Sequence, residues 1–232
     1  MLKNHVIIYD HECPMCAVYT GAFVKFELLD KEGRYKFADL QHFPIASIID
    51  KDRARHEIAL IDIEKKEVRY GLESLFYILG NRFPFLHLIF KQKWFQALMQ
   101  PLYYFISYNR KVIAPSSTQN SQSCNPDFHL KYRILYILLM MYIVGIFAFS
   151  FGLFPIYWAY WAIQVVFSVL YFSKQGDMRK SIAYLGHQIT ILLIGCLLLI
   201  PSMIFSNLLV YNLIIVGLVT GREYWRRWKA IS

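Results

Sequence analysis

The sequence predicts a two-part protein, an α/β domain with the element order βαβ, helix, ββα and some extra helices, followed by an all-α bundle of four transmembrane helices. Three observations predict it. A β-branched run, Val6-Ile7-Ile8, ends in a turn and hands Cys13-Pro14-Met15-Cys16 to the start of a helix. Two strand-like runs, Ile58–Asp62 and Glu67–Tyr70, flank a charged turn. Beyond Lys131 and Arg133 come four long apolar stretches without Asp, Glu, Lys or Arg.

Composition sets the frame for these parts. The 232 residues are 56% hydrophobic and 17% aromatic with a formal charge of +9, too apolar for an ordinary soluble domain. Four cysteines, Cys13, Cys16, Cys124 and Cys196, are too scattered for a disulfide framework and suit a compartment in which thiols stay reduced. Met1–His5 runs straight into the first strand, so no long apolar leader marks this end for export.

In chain order, residues 5–9 read as a strand buried on both faces, because its apolar residues are continuous rather than alternating. Residues 14–31 read as a helix with Val18, Ala22, Phe26 and Leu29 on one face. Gly33 breaks that pattern, and Tyr35–Asp39 reads as a second strand, parallel to the first through a right-handed crossover. A short helix is expected at 43–50, starting near Pro44. The hairpin around Glu64-Lys65-Lys66 follows, then a helix over Leu72–Leu79. From Phe83 to Tyr108 the chain is aromatic and largely helical, with a break near Pro101. These helices are expected to close over the sheet, with the alternative that one lies along a bilayer surface, its lysines towards headgroups.

Pro14 suits the first position of a helix, where its missing N–H is no loss, so Cys13 falls at the helix N-terminus. There, unpaired backbone N–H groups and the helix dipole favour thiolate, the nucleophilic form. Cys16, one turn on, is placed to attack a mixed disulfide formed on Cys13. The same spacing also serves zinc, but no second Cys-x-x-Cys or His-x-x-x-His follows, and zinc would have to recruit His11, His56 or Cys124. Inert buried cysteines are the remaining alternative. Asp10 reads either as a proton relay, whose charge opposes the thiolate, or as an Asx-turn cap ahead of the helix. His11, if protonated beside Cys13, would favour the thiolate; otherwise it is an exposed loop histidine.

This element order, with Cys-x-x-Cys after the first strand, resembles the thioredoxin fold. More narrowly, Tyr9-Asp10 followed by Cys13-Pro14-Met15-Cys16 resembles the DCC family of thiol-disulfide oxidoreductases, named for an Asp-x-x-Cys-x-x-Cys signature. Tyr70-Gly71-Leu72-Glu73-Ser74 and Tyr104 through Asn109-Arg110 are similar to later landmarks of that family. The resemblance covers about residues 5–115 and implies dithiol–disulfide exchange at Cys13 and Cys16. Two features depart from it. His11 stands where the family commonly has glycine, and Lys51–Glu57 lacks the proline that thioredoxin-like enzymes carry before the third strand, so Arg55 or His56 would occupy that neighbourhood.

The sequence divides into a domain over residues 1–113, a linker over 114–130 and a membrane domain over 131–232. Ala114–Ser123 is polar and low in complexity, as flexible linkers are. Cys124 follows, where a tethered thiol could act as a relay to Cys13 and Cys16 or be a free linker thiol. The four spans are expected at Ile134–Phe154, Ile156–Phe172, Ile182–Ile200 and Met203–Thr220. Their turns are uncharged after the first and third spans. Lys131, Arg133, Lys174, Arg179, Lys180, Arg222, Arg226, Arg227 and Lys229 all fall on one side, which the positive-inside rule makes the cytoplasm, together with the N-terminal domain and the C-terminus. The basic excess is therefore a topology signal, and nucleic acid is not an expected partner. Gln164, Gln188, Thr190, Asn207 and Asn212 read as packing groups between spans. His187 is the ionisable exception, with a structural role ahead of proton or quinone binding, and Cys196 reads as a small packing residue.

The expected function is a cytoplasm-facing, membrane-anchored thiol-disulfide oxidoreductase. Its partners are a disulfide-containing protein or small molecule, a cellular thiol reductant and the lipid bilayer. Exchange itself needs no metal, flavin or nucleotide. Two alternatives stand beside it: a quinone-linked transmembrane electron carrier using His187 and Cys196, and a non-enzymatic thioredoxin-like binding module on a membrane anchor.

Overall fold

The computed structural model describes residues 1–115, 127–174, 176–205, 207, 209–229 and 231, leaving out the side chains at positions 173, 203, 204 and 209. The chain forms two compact units, Met1–Asp127 and Phe128–Ser232.

The first unit is built on a four-stranded mixed sheet with strands β1 (His5–Tyr9), β2 (Arg34–Lys36), β3 (Ala59–Asp62) and β4 (Glu67–Tyr70), in the order β2-β1-β3-β4. β1 runs parallel to β2, with Ile8 opposite Tyr35, and antiparallel to β3, with Ile7 opposite Leu60. Helix α1 (Pro14–Lys25) makes the crossover between the parallel strands. Both faces of β1 are covered, which explains its unbroken apolar run. Ile7 and Leu60 pack with Phe23 of α1 and Ile78 of α3 (Gly71–Arg82), while Val6, Ile8 and Ile61 pack with Leu40, Phe43, Ile49 and Ala54. This is a thioredoxin-like arrangement. Arg34 ties β2 to α1: its Nε donates to Thr20 Oγ1 at 3.1 Å, and its guanidinium lies over the Tyr9 ring.

Several local expectations need correction. α1 ends at Lys25 rather than 31, and it buries Cys16, Thr20 and Phe23 while Val18 and Phe26 are exposed. The buried face is thus the row Cys16, Thr20 and Phe23, which the sheet covers. The second strand stops at Lys36, where the chain turns through Phe37–His42 so that Leu40 and Phe43 can cover the sheet. Of the helix expected at 43–50 only a short 3-10 turn forms, at Ala46–Ile48, and the α-helix follows it as α2 (Lys51–His56), capped by Asp50, which accepts the Arg53 N–H at 3.0 Å. The aromatic stretch breaks at 91–92, between α4 (Pro84–Phe90) and α5 (Lys93–Ile113), and α5 runs on through Pro101. Stacking of Phe76 on Phe90, with Phe95 beside both, pins α3, α4 and α5 together around that break.

The second unit consists of α6 (Leu130–Ser150), α7 (Phe154–Ser173), α8 (Met178–Ile204) and α9 (Leu209–Lys229). Polar side chains set its register. Tyr157 donates to the Met141 carbonyl, Tyr160 and Tyr184 donate to Gln188 and Gln164, and Tyr136 pairs with Thr190 at 2.8 Å. Asn212 donates to Ser202, Gly195 lies against Val216 and Thr220, and Arg227 meets His187 at 3.1 Å, so α9 runs antiparallel along α8.

Among the described residues, three helices are long and apolar enough to cross a membrane: Leu130–Ser150, Phe154–Phe172 and Met178–Ser202. The expected fourth span fails because its apolar run is divided. Its first residues finish α8, and α9 carries Arg222, Glu223, Arg226, Arg227 and Lys229 in its last turns. The apolar part of α9 is about 20 Å long at 1.5 Å per residue, short of the ~30 Å of hydrocarbon.

Gly71 opens α3 with φ +59°, and a Cβ there would meet Glu57 Oε2 at 2.7 Å. Gly71→Ala is expected to destabilise the first unit by about 1–2 kcal/mol, the left-handed penalty for an L-residue. A lowered midpoint in thermal unfolding of the full chain, followed by amide exchange of β3 and β4, checks it.

Candidate active site

The strand-to-helix turn after β1 builds the site. Asp10 is buried, and its Oδ1 accepts the Glu12 N–H at 3.1 Å, an Asx-type turn that aims the next residues into the helix. Cys13 is the N-cap of α1 and Pro14 takes the first helical position. The Cys13 sulfur accepts the Cys16 N–H at 3.4 Å. The two cysteines approach to 3.2 Å without a disulfide, and both are buried. His11 is exposed. Cys124 lies outside the described residues, and Cys196 belongs to the second unit. Among the described residues no group of three or more His, Cys, Asp or Glu converges as a metal site.

The pair is electrostatically asymmetric. Cys13 is lowered to about 6, chiefly because the Cys16 thiol donates to its sulfur, against the opposing effect of burial. The Cys16 backbone N–H and the Arg110 guanidinium add to the lowering, while Asp10 opposes it. The same thiol–thiol hydrogen bond, together with burial, pushes Cys16 far above the ordinary thiol range, and Arg110 works against that rise. One sulfur is thus a thiolate at neutral pH and its neighbour holds the proton. The helix dipole anticipated at Cys13 acts here through one particular N–H, that of Cys16.

Arg110 is the functional residue that local reading of the cysteine motif misses. It is buried, with one guanidinium nitrogen 4.0 Å from Cys16 Sγ and the other donating to the Arg55 carbonyl at 3.0 Å. Its neighbours on α5 hold the same segment: Ser107 donates to the His56 carbonyl at 2.6 Å, Tyr104 to Glu57, and Tyr103 accepts the Ile58 N–H at 3.2 Å. The spacing Tyr103, Ser107, Arg110 is one helical face, and it was the signal available in the sequence. Arg55 and His56 do occupy the stretch before β3, but through their carbonyls as acceptors for α5. Beside Cys16, a cavity of about 250 Å³ is lined by Tyr19, Phe23, Ile58, Leu75, Tyr103 and Ile106 among others. Its walls are apolar apart from the tyrosines, Ser107 and Arg110.

A sheet ordered β2-β1-β3-β4, with an asymmetric cysteine pair opening the helix after β1, defines a thioredoxin-like dithiol domain. Residues 7–114 match the family model described as DCC1-like thiol-disulfide oxidoreductase. The match covers just under half of the chain and none of the apolar helices. No curated protein and no solved structure matches it.

Alkylation of Cys13 by iodoacetamide in the full chain is expected to rise with pH about a midpoint near 6, since protonation below that value removes the nucleophile. Arg110→Met should move this midpoint up by about one unit, the low end of what a nearby opposite charge contributes. Arg110→Lys should recover part of the effect, which a purely structural role for the guanidinium would not.

Proposed function

We propose that the chain is a membrane-anchored thiol–disulfide oxidoreductase in which Cys13 is the nucleophile and Cys16 the resolving thiol. The observation that supports this reading best is the geometry of the pair: the two cysteines lie 3.2 Å apart at the start of α1, the Cys13 sulfur accepts the Cys16 N–H at 3.4 Å, and Cys13 is lowered to about 6. The Cys13 thiolate attacks one sulfur of a substrate disulfide, forming a mixed disulfide and releasing the other sulfur as thiolate. Cys13 then no longer holds the Cys16 hydrogen, and Arg110 at 4.0 Å favours the Cys16 thiolate. Cys16 attacks Cys13 Sγ, the second substrate sulfur leaves and takes up the proton, and the pair ends as a disulfide. Two electrons have passed to the substrate, and a cellular thiol reductant returns them. Asp10, His11 and Pro14 serve this site as turn, neighbour and helix opener, and the exchange requires no metal, flavin, nucleotide or quinone.

The proposed organisation is a redox domain over 1–113, a linker over 114–130 carrying Cys124 as a candidate relay, and a membrane domain over 131–232. Disulfide reduction in the cytoplasm is the favoured direction, because scattered cysteines suit a reducing compartment. The orientation is supported by the basic residues. α6, α8 and the antiparallel α9 bring Arg133, Arg226 and Arg227 around His187 at one end of the second unit, and the rule for basic flanks makes that end cytoplasmic. The substrate is a disulfide of a protein or small molecule, and the bilayer is the standing partner. The quinone-linked alternative draws on a cavity of about 490 Å³ between α6, α7, α8 and α9 that includes Gln188 and Cys196. Its spans carry that one cysteine and no pair.

With the full chain in vesicles, reduction of insulin by a thiol reductant is expected to accelerate, and Cys13→Ser to abolish the acceleration. Cys16→Ser should accumulate a mixed disulfide on Cys13; a Cys13–Cys124 bond in that variant would assign Cys124 the relay role. Absence of any cysteine-dependent turnover would leave the non-enzymatic binding module. For orientation, a tag at the N-terminus should be digested by protease added from the cytoplasmic face.

A further inference from the structure

Helix α5 is amphipathic in the inverted sense. Its polar face, with Tyr103, Tyr104, Ser107 and Arg110, turns inward and bonds the segment 55–58. Its apolar face turns outward: Trp94 is 65% exposed and Leu98 64%, with Leu102 and Ile106 continuing the row at four-residue spacing. α4 extends the same character with Phe85 and with Leu88, which is 72% exposed. A soluble domain rarely leaves so many large apolar side chains uncovered side by side. Exposed Lys91 and Lys93 stand at the turn between the two helices, as basic residues do where an amphipathic helix meets anionic headgroups. Only residues 114–129 separate α5 from the first helix able to cross a membrane, so the row is covalently kept near a bilayer.

We propose that α4 and α5 form a membrane-docking surface, their apolar row set into the headgroup boundary of an anionic leaflet and Lys91 and Lys93 against its phosphates. Ile106 belongs both to this row and to the cavity beside Cys16. Docking therefore puts the mouth of that cavity at the lipid surface and makes disulfides presented there, with apolar groups beside the sulfurs, the substrate class. This last step rests on the exchange activity proposed above, whereas the docking itself does not.

The test uses the full chain in vesicles of phosphatidylethanolamine and phosphatidylglycerol, with the photoreactive p-benzoylphenylalanine in place of Leu88 or Leu98, or of exposed Asp52 on α2 as control. After illumination, mass spectrometry is expected to find phospholipid adducts at positions 88 and 98, several-fold above position 52. Lys91→Gln with Lys93→Gln should lower them several-fold, as should exchanging phosphatidylglycerol for phosphatidylcholine. The same adducts should form with Cys13→Ser, so a failure of docking is separable from a failure of exchange. Adducts to protein instead of lipid, equal yields at position 52, or yields indifferent to both lysines and lipid charge would overturn the proposal.

Discussion

One hydrogen bond, from the Cys16 thiol to the Cys13 sulfur, turns two chemically identical side chains into a donor and an acceptor. Both thiols are buried, which disfavours charge on either. Sharing a proton resolves the conflict by letting one ionise while the other stays neutral. That bond exists only because the helix begins where it does: Asp10 closes the turn, Cys13 caps α1, and Pro14 starts it one residue on, which puts Cys16 within 3.4 Å through its N–H. β1, buried on both faces, fixes the point from which the turn departs. The rest of the domain is arranged to keep that turn in place.

The second support comes from far along the chain. α5 bonds four consecutive residues, Arg55, His56, Glu57 and Ile58, just before β3. That segment has no proline to stiffen it. Side-chain hydrogen bonds from an added helix supply its order instead, and Arg110 serves two purposes within that clamp. One nitrogen holds the Arg55 carbonyl, while the charge lies beside Cys16. Loosening the clamp and altering the sulfur electrostatics are therefore coupled events in this domain.

What the sequence revealed and what it hid follow from the range of the interactions. Strand β1, the hairpin β3–β4 and the cysteine-bearing helix start are local: a β-branched run, a charged turn, a proline after cysteine. They were legible, and so was the thioredoxin-like order that joins them. The exposed and buried faces of α1 were not, because Val18 and Phe26 are apolar yet the face carrying Cys16, Thr20 and Phe23 is the one the sheet covers. Asp50 falls at the end of the span expected as a helix at 43–50, although an aspartate just ahead of a helical run is a capping signal. Arg110 was named only as a family-like landmark; its proximity to Cys16 spans 94 residues of chain and is decided by tertiary packing.

The second unit shows why counting apolar runs overstates the number of helices that can cross alone. α9 carries five charged residues in its last turns. Glu223 pairs with Arg226 and Arg227, and Arg227 reaches His187, so these charges are compensated within the unit rather than by water alone. Asn212 meets Ser202 at the other end. What holds α9 is its packing on α8, which offers it polar anchors at both ends and Gly195, opposite Val216 and Thr220, a close approach midway. The same pairing returns the basic end of α9 to the end at which α8 begins, so the arrangement of positive residues and the packing of the helices are two consequences of one antiparallel contact.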